Sequence, residues 1–349
     1  MTQDWASFIN DRTPFHCIYF DQKNAFDKIQ CHLLLQKMSS MGIHEHTISV
    51  CSSYLKGRSF RVKVDNEFSE QFAAPTGVPQ GSCLSPHLFN IFISDICKFI
   101  PDGVRYLVYA DDLKLYCPII SGESVALLQG AIDGVSSWCK KNGMILSPSK
   151  CQVLKYGNIE ANYVLNGEAL PVSAVTRDLG INISPQLDFC VHIAQTVRSA
   201  SVLINTLFRC FTVRTPSVYI HLYKSLILSK FIYCAPIWKP YLRKHRLALD
   251  SIHRKFVRRL RFRCGPDLSV DSFSIPLVST VMDDQDVSVL FVLKRANLLD
   301  HFFKFNSNRL RSRCTVGPKS LARTERINNM FSWRVSRWIH EKGAPLNLL

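Results

Sequence analysis

Residues 104–117, VRYLVYADDLKLYC, place two adjacent aspartates between two short apolar runs. Val, Leu and Tyr dominate both runs, the composition of strands that pack on a core. The segment therefore predicts a hairpin with Asp111 and Asp112 at or beside its turn. Two carboxylates one residue apart repel each other, and a hairpin gains nothing from that repulsion. Aspartate is also a common turn former, so a chemical role depends on a third carboxylate reaching the same place. Asp21 is the candidate. It closes HCIYFD (16–21), which reads as a buried strand, and it joins the pair only if the two strands are neighbours in one sheet.

Such a set has a use. Phosphoryl transfer to or from a nucleotide asks the protein mainly to position the reactants and to hold Mg²⁺ near the attacking and leaving oxygens. Mg²⁺ takes one or two carboxylates together with phosphates and water, and paired ions sit about 3.5–4 Å apart. The metal charge would offset the repulsion among the carboxylates.

The rest of the first 160 residues supplies a scaffold. AFDKIQCHLLLQKM predicts one helix, with Asp27 as N-cap and Gln30 three residues on, close to a capping box. SFRVKVDNEFSEQF (59–72) alternates like a hairpin, and GVPQGSCLSP (77–86) is a turn-rich loop. Ser85 and Pro86 fit the N-cap and first position of the next helix, which places Leu88, Phe89, Phe92, Ile93 and Ile96 on one face. Leu128, Ala131, Ile132, Val135 and Trp138 line a further helix that stops near Gly143. Strand, helix, loop, helix, hairpin, helix, strand is an α+β order: an antiparallel sheet with helices packed on one face. From residue 161 the pattern turns mostly helical, at 190–210, 216–230, 241–263 and 284–305, and GPDLSVDSFSIP (265–276) reads as a linker. The expected domains are 1–160, 161–263 and a helical tail at 264–349.

Charge separates the halves. Residues 1–160 hold 15 Lys and Arg against 15 Asp and Glu, whereas 161–349 hold 28 against 12. The whole excess of +16 thus lies in the second half, which points to a polyanion partner, nucleic acid before acidic lipid. The segment HRKFVRRLRFR (253–263) carries six of these cations in eleven residues, with Phe256, Val257, Leu260 and Phe262 between them. No apolar run reaches the length of a membrane span; the most apolar stretch, 218–238, is broken by His221, Lys224 and Lys230 and reads as a core helix. No signal-peptide pattern opens the chain. Thirteen cysteines without a CxxC pair suggest reduced thiols in an intracellular protein.

FDQKNAFDKI, GVPQGSCLSPHLFNIFI, YADD and WCKKNGMILSPSKCQ occur in the order and spacing of motifs A, B, C and D of reverse transcriptases. The chain resembles the non-LTR (LINE-type) retrotransposon enzymes. The resemblance extends through SYLKGRSFRVKV and LYKSLILSKFIYCAPIW, weakens after about residue 265, and returns in INNMFSWRVSRW. It implies a right-hand polymerase palm followed by a mostly helical thumb-like region. The implied activity is an RNA-directed DNA polymerase that uses two Mg²⁺ ions, with Mn²⁺ also admissible, and extends a DNA primer on an RNA template with dNTPs. Residue by residue, Asp21 and Asp111 would bridge both metals and Asp112 would support them. Phe26 would exclude ribonucleotides by a clash with the 2′-hydroxyl. Gln80, Gly81 and Tyr109 would line the nucleotide site. Lys150 would be the motif D proton donor to pyrophosphate, and Arg254, Lys255, Arg258, Arg259, Arg261 and Arg263 would follow the primer–template backbone. A nuclear location is expected from the resemblance alone.

Blander readings stand beside these. Phe26 also fits a core position, Asp27 a helix cap, Lys150 an exposed loop, and the basic run a solvated helix face. The chain starts twenty residues before Asp21, so the fingers segment that would hold the triphosphate is expected to be missing. The family's endonuclease domain and Cys/His knuckle are expected to be missing too, as in a truncated copy. Two other functions compete: a non-catalytic nucleic-acid-binding remnant of such an enzyme, and a nucleotide cyclase or other palm-like enzyme, against which GVPQGSCLSP argues.

Overall fold

The strand expected at 16–21 forms as Phe15–Phe20 and becomes an inner strand of a four-stranded antiparallel sheet. On one side it pairs with Asp112–Pro118, the inner arm of the predicted hairpin, whose outer arm Arg105–Tyr109 forms the edge. On the other side it pairs with Gln152–Tyr156. Alternation then sorts the side chains. Ile18, Phe20, Leu113, Leu115, Cys117 and Val153 share one face and are buried against the two predicted helices. Ser85–Ile93 contributes Leu88, Phe89, Phe92 and Ile93, and Gly122–Asn142 contributes Leu128, Ala131, Ile132, Val135 and Trp138. The second helix ends on Gly143 at φ +68°. This is the α+β palm.

The computed structural model describes residues 1–265, 275–299, 303–307, 314–318, 331, 334 and 335. They fall into two compact units, one of Thr13–Ala174 and one of Met1–Arg12 with Val175–Leu349. The first unit runs on past residue 160 because Tyr163, Leu165 and Leu170 pack into the palm core. A polar lock helps to hold its helices. Lys37 Nζ donates to Phe92 O and Asp95 Oδ1, both at 2.6 Å, and Trp138 Nε1 donates to Asp95 Oδ1 at 2.8 Å.

The second unit is mostly helical. Cys190–Cys210 packs beside the basic helix Arg243–Cys264, with Ile204, Phe208, Phe256 and Leu260 buried. Phe208 stacks on Tyr219 at 4.5 Å and Tyr223 on Phe256 at 4.2 Å. Asp286, 7% exposed, takes Lys239 at 2.9 Å and the Arg334 guanidinium at 2.7 Å. The twelve cysteines from Cys17 to Cys264 are free thiols, and among the described residues no helix is long and apolar enough to cross a membrane.

Several local expectations are corrected. The segment 25–38 is not one helix: Ala25–Lys28 stops where Ile29 turns extended (ψ 122°), and Cys31–Ser40 starts afresh. Asp27 therefore sits inside a short helical turn and caps nothing. Ser85 lies one residue inside its helix, and its hydroxyl donates to Pro79 O at 2.5 Å instead of capping. The hairpin's outer arm packs on the core through Val108 alone among its strand residues, and Tyr106, Leu107 and Tyr109 are exposed. The apolar stretch 218–238 is not one helix either. It contains a π-helical turn at Tyr223–Leu228 and a break at Cys234, whose φ is +50°. The tail expected to be helical contains a two-stranded ladder, Phe303–Ser307 with Cys314–Pro318. Residues 266–274 of the expected linker, and most of INNMFSWRVSRW, lie outside the described residues.

His16 gives this fold a pH dependence. It is fully buried, with Nδ1 2.8 Å from the Tyr163 hydroxyl. Burial above all, with the Lys155 cation adding, lowers its pKa from 6.5 to about 4. Between those values the unfolded chain binds a proton that the folded chain does not, so stability falls as pH drops through the window, by up to roughly 3 kcal/mol. The expected outcome is a widening gap in urea stability between the native chain and His16→Gln as pH is varied from 4 to 7. A gap independent of pH would show that His16 titrates normally in the fold.

Candidate active site

The turn of the hairpin consists of two residues, Ala110 at φ +51° and Asp111, because Tyr109 pairs with Asp112. The central strand pairs Phe20 with Leu113. Continuing that register by one residue sets Asp21 across from Asp112, with Asp111 beside them on the turn. The neighbourhood that the sequence only assumed is therefore present in the backbone. Asp112 is exposed, Asp111 is partly exposed, and the Asp21 side chain is 44% exposed. Among the described residues, no group of three or more His, Cys, Asp or Glu side chains is gathered into a metal cage. The three carboxylates share one end of the sheet.

A second segment fixes Asp21 from the opposite side. Ser147 N donates to Asp21 O at 3.0 Å and Lys23 N to Ile145 O at 2.8 Å, and Gln22 bridges Leu146. The loop after Gly143 thus runs antiparallel to the chain leaving the central strand. It brings Lys150 Nζ to 3.9 Å from Asp21 Oδ2, with the lysine 69% exposed. An exposed pair of that kind contributes little to stability, so its interest is positional. Cys151 also belongs here, and sequence reasoning missed it. Its sulfur accepts from Asp21 N at 3.4 Å, and burial raises the thiol pKa.

A third segment docks below the strand end. Gly77 N donates to Ile29 O at 2.8 Å and Val78 N to Phe26 O at 2.9 Å. Thr76 Oγ1 reaches Asp27 O at 2.9 Å. Gln80 Nε2 donates to Asp27 Oδ1 at 3.0 Å, so the carboxylate expected to cap a helix holds the Gln80 amide instead. Phe26 is partly buried and stacks on Phe89 at 4.5 Å and 22°, so one side of the ring packs on the core. Gly81 is exposed at φ +82°. Tyr109, 65% exposed, stands beside the carboxylates at the end of the outer arm.

The six cations of the basic run divide by helical face. Lys255, Arg259 and Arg263, four residues apart, turn inward onto the helix Cys190–Cys210. Lys255 Nζ donates to Ser201 O at 3.1 Å and to the Ser201 hydroxyl. Arg259 donates to Asn205 Oδ1 at 3.2 Å and Arg263 to Phe208 O at 2.6 Å. Arg254, Arg258 and Arg261 are exposed, and Arg254 also reaches back to Leu247 O at 3.2 Å.

The sequence is similar to those of known proteins. Residues 7–183 match the family model described as "Reverse transcriptase (RNA-dependent DNA polymerase)". A probable RNA-directed DNA polymerase from transposon BS of Drosophila melanogaster is 29% identical over 210 residues, 57% of this chain and 23% of that protein. The RNA-directed DNA polymerase from mobile element jockey of Drosophila melanogaster is 24% identical over 258 residues, 69% of this chain and 28% of that protein. The chain thus spans about a quarter of the length of the curated relatives it matches. Among solved structures, apo telomerase from Candida Tropicalis is similar with a TM-score of 0.45 and 13% identity, covering 85% of this chain and 53% of that one.

The docking of the third segment can be tested at one glycine. A Cβ on Gly77, at φ +79°, would meet Asp27 Cα at 2.7 Å and Phe26 O at 2.8 Å, whereas one on Gly81 would meet nothing within 4 Å. Both alanines carry the left-handed strain of about 1–2 kcal/mol, but only Gly77→Ala adds a backbone collision. Gly77→Ala is expected to cost about 3 kcal/mol or more in urea unfolding and Gly81→Ala about 1. Equal costs would mean that the loop does not rest on Phe26 and Asp27.

Proposed function

The chain belongs to the reverse transcriptase (RNA-dependent DNA polymerase) family, and on that premise we propose that it is the palm and thumb-like part of a non-LTR retrotransposon RNA-directed DNA polymerase. It extends a DNA primer on an RNA template with dNTPs, and the nucleus is its place of action. The observation that carries this reading is the register that sets Asp21 across from Asp112, with Asp111 on the adjoining turn.

The donor set suits the metal. Asp21, Asp111 and Asp112 offer only hard carboxylate oxygens, at least partly exposed at the end of a rigid sheet, which is the chemistry Mg²⁺ prefers. These three residues would hold two Mg²⁺ ions, which supply positive charge beside the attacking and leaving oxygens. The remaining roles fall to the chain's own side chains. Gln80, oriented by Asp27, lies against the incoming nucleotide, with Gly81 allowing close backbone approach and Tyr109 at the edge of the site. Phe26, braced by Phe89, stands below the sugar and leaves no room for a 2′-hydroxyl. Lys150, already beside Asp21, gives a proton to the leaving pyrophosphate. The exposed arginines of the basic helix follow the phosphates of the primer–template.

Primer extension on a homopolymer RNA template tests the proposal. Asp111→Asn is expected to lower extension by at least a hundredfold and to leave duplex affinity within about twofold, because the residue lies on a partly exposed two-residue turn outside the core. Loss of binding together with activity would mark Asp111 as a structural residue. A native chain that binds duplex but does not extend it would favour the non-catalytic reading.

Sugar selection gives a second test. Phe26→Val removes the proposed clash, so incorporation of rNTP relative to dNTP is expected to rise by at least tenfold. An unchanged ratio in a folded variant would leave Phe26 with its packing role on Phe89 alone.

A further inference from the structure

The basic helix holds an aromatic side chain that its own packing does not use. Leu249, Ile252, Phe256 and Leu260 form its buried seam, and Lys255, Arg259 and Arg263 are bonded to the neighbouring helix. On the other flank Arg246 pairs with Asp283 at 3.4 Å, and Asp250 accepts from Ser279 N and Oγ at 3.0 Å. What remains is one face. At 100° per residue, Arg254, Arg258, Arg261 and Phe262 fall within an arc of about 100°. Asp250 is the helix's sole acid, and it is engaged with Ser279. Phe262 is 90% exposed, with Arg261 before it in the chain and Arg258 one turn earlier.

We propose that Phe262 is a stacking platform for an unpaired base, and that the arginine face grips a single-strand–duplex junction. The inference rests on the nucleic-acid reading of this helix and specifies what form of nucleic acid it takes. Arg254 and Arg261 are about 10 Å apart along the axis, a row able to follow phosphates. Phe262 stands at the C-terminal end of that row, where a flat apolar ring suits the face of a base. An unpaired base stacks there without disruption. A continuous duplex would first have to be unstacked. An apolar protein surface covering Phe262 would bury three guanidiniums without counter-charge. A nucleic-acid strand brings both the π face and the phosphates.

Fluorescence anisotropy with the full chain tests this on two probes, a blunt RNA–DNA duplex and the same duplex with a single-stranded RNA overhang. Phe262→Ala is expected to weaken the overhang probe about five- to thirtyfold, to change the blunt probe less than twofold, and to leave the salt dependence unaltered. Phe262→Trp should restore overhang binding and Phe262→Leu should not, because stacking needs the ring and not the apolar bulk alone. The triple variant Arg254→Gln, Arg258→Gln, Arg261→Gln should weaken both probes and lower the salt slope by roughly one for each phosphate left without its arginine. Equal effects of Phe262→Ala on both probes, no effect on either, or restoration by Leu would each overturn the stacking role. If the arginine variant acts while Phe262→Ala does not, only this inference fails. If the arginine variant leaves both probes and the slope unchanged, the nucleic-acid reading of the helix fails and the inference fails with it.

Discussion

The candidate site depends on one run of backbone pairing, Phe15–Phe20 against Leu113–Pro118. It spans about ninety residues of sequence and carries Asp21 to the aspartate pair. Strand pairing has a period of two, so a slip of one residue would reverse every side chain of the strand. Ile18 and Phe20 would leave the core, and Asp21 would no longer lie across from Asp112. The apolar face therefore sets the positions of the acidic residues. Ile18 and Leu115 are fully buried and Leu113 is 1% exposed, and the helix bearing Phe89 and Phe92 closes over the same face.

Backbone hydrogen bonds extend that control past the end of the strand. Asp21 is followed by a segment bonded at Asp21 O and Lys23 N to the loop after Gly143, and at Phe26 O and Ile29 O to the loop after Thr76. Two segments far apart in sequence thus hold the residues around Asp21 from different sides, and each brings a polar side chain, Lys150 or Gln80. Gly77 is required by this arrangement, since the approach to Phe26 and Asp27 leaves no space for a Cβ. A site assembled from strand end, turn and loops keeps its geometry only where such bonds replace regular secondary structure.

The parts legible in the sequence were those governed by a period. The helices bearing Leu88 to Ile96 and Leu128 to Trp138, the inner strands and a hairpin with the aspartate pair at or beside its turn follow from apolar spacing. Events set by single dihedral angles were not legible. Extended Ile29 cuts one expected helix in two, and the short turn before it already starts at Ala25 after Asn24 at φ +51°, so Asp27 lies inside that turn and not at its cap. The exposed outer arm misled because Val, Leu and Tyr read as buried whether or not a layer covers them. In the basic run the missed signal was present: Lys255, Arg259 and Arg263 repeat at four, one helical face, whereas the linear count of cations treats all six alike. The Asp27–Gln80 bond and the Cys151 contact join residues distant in sequence, and no local pattern announces them.

The electrostatics of the strand end follow from that framework. Carboxylates on facing strands and an adjoining turn repel, and exposed opposite charges attract only weakly in water. Lys150, 3.9 Å from Asp21 and mostly exposed, contributes at most about 1 kcal/mol. The acids are therefore held together by the hydrophobic face beneath them and the backbone bonds around them. Exposure leaves their oxygens hydrated, which limits the cost of assembling them. A multivalent cation held there, as proposed, would turn the repulsion into attraction. Apolar packing that sets acids side by side leaves a repulsion that a bound cation would offset, and that is the electrostatic basis of the metal-binding role proposed for Asp21, Asp111 and Asp112.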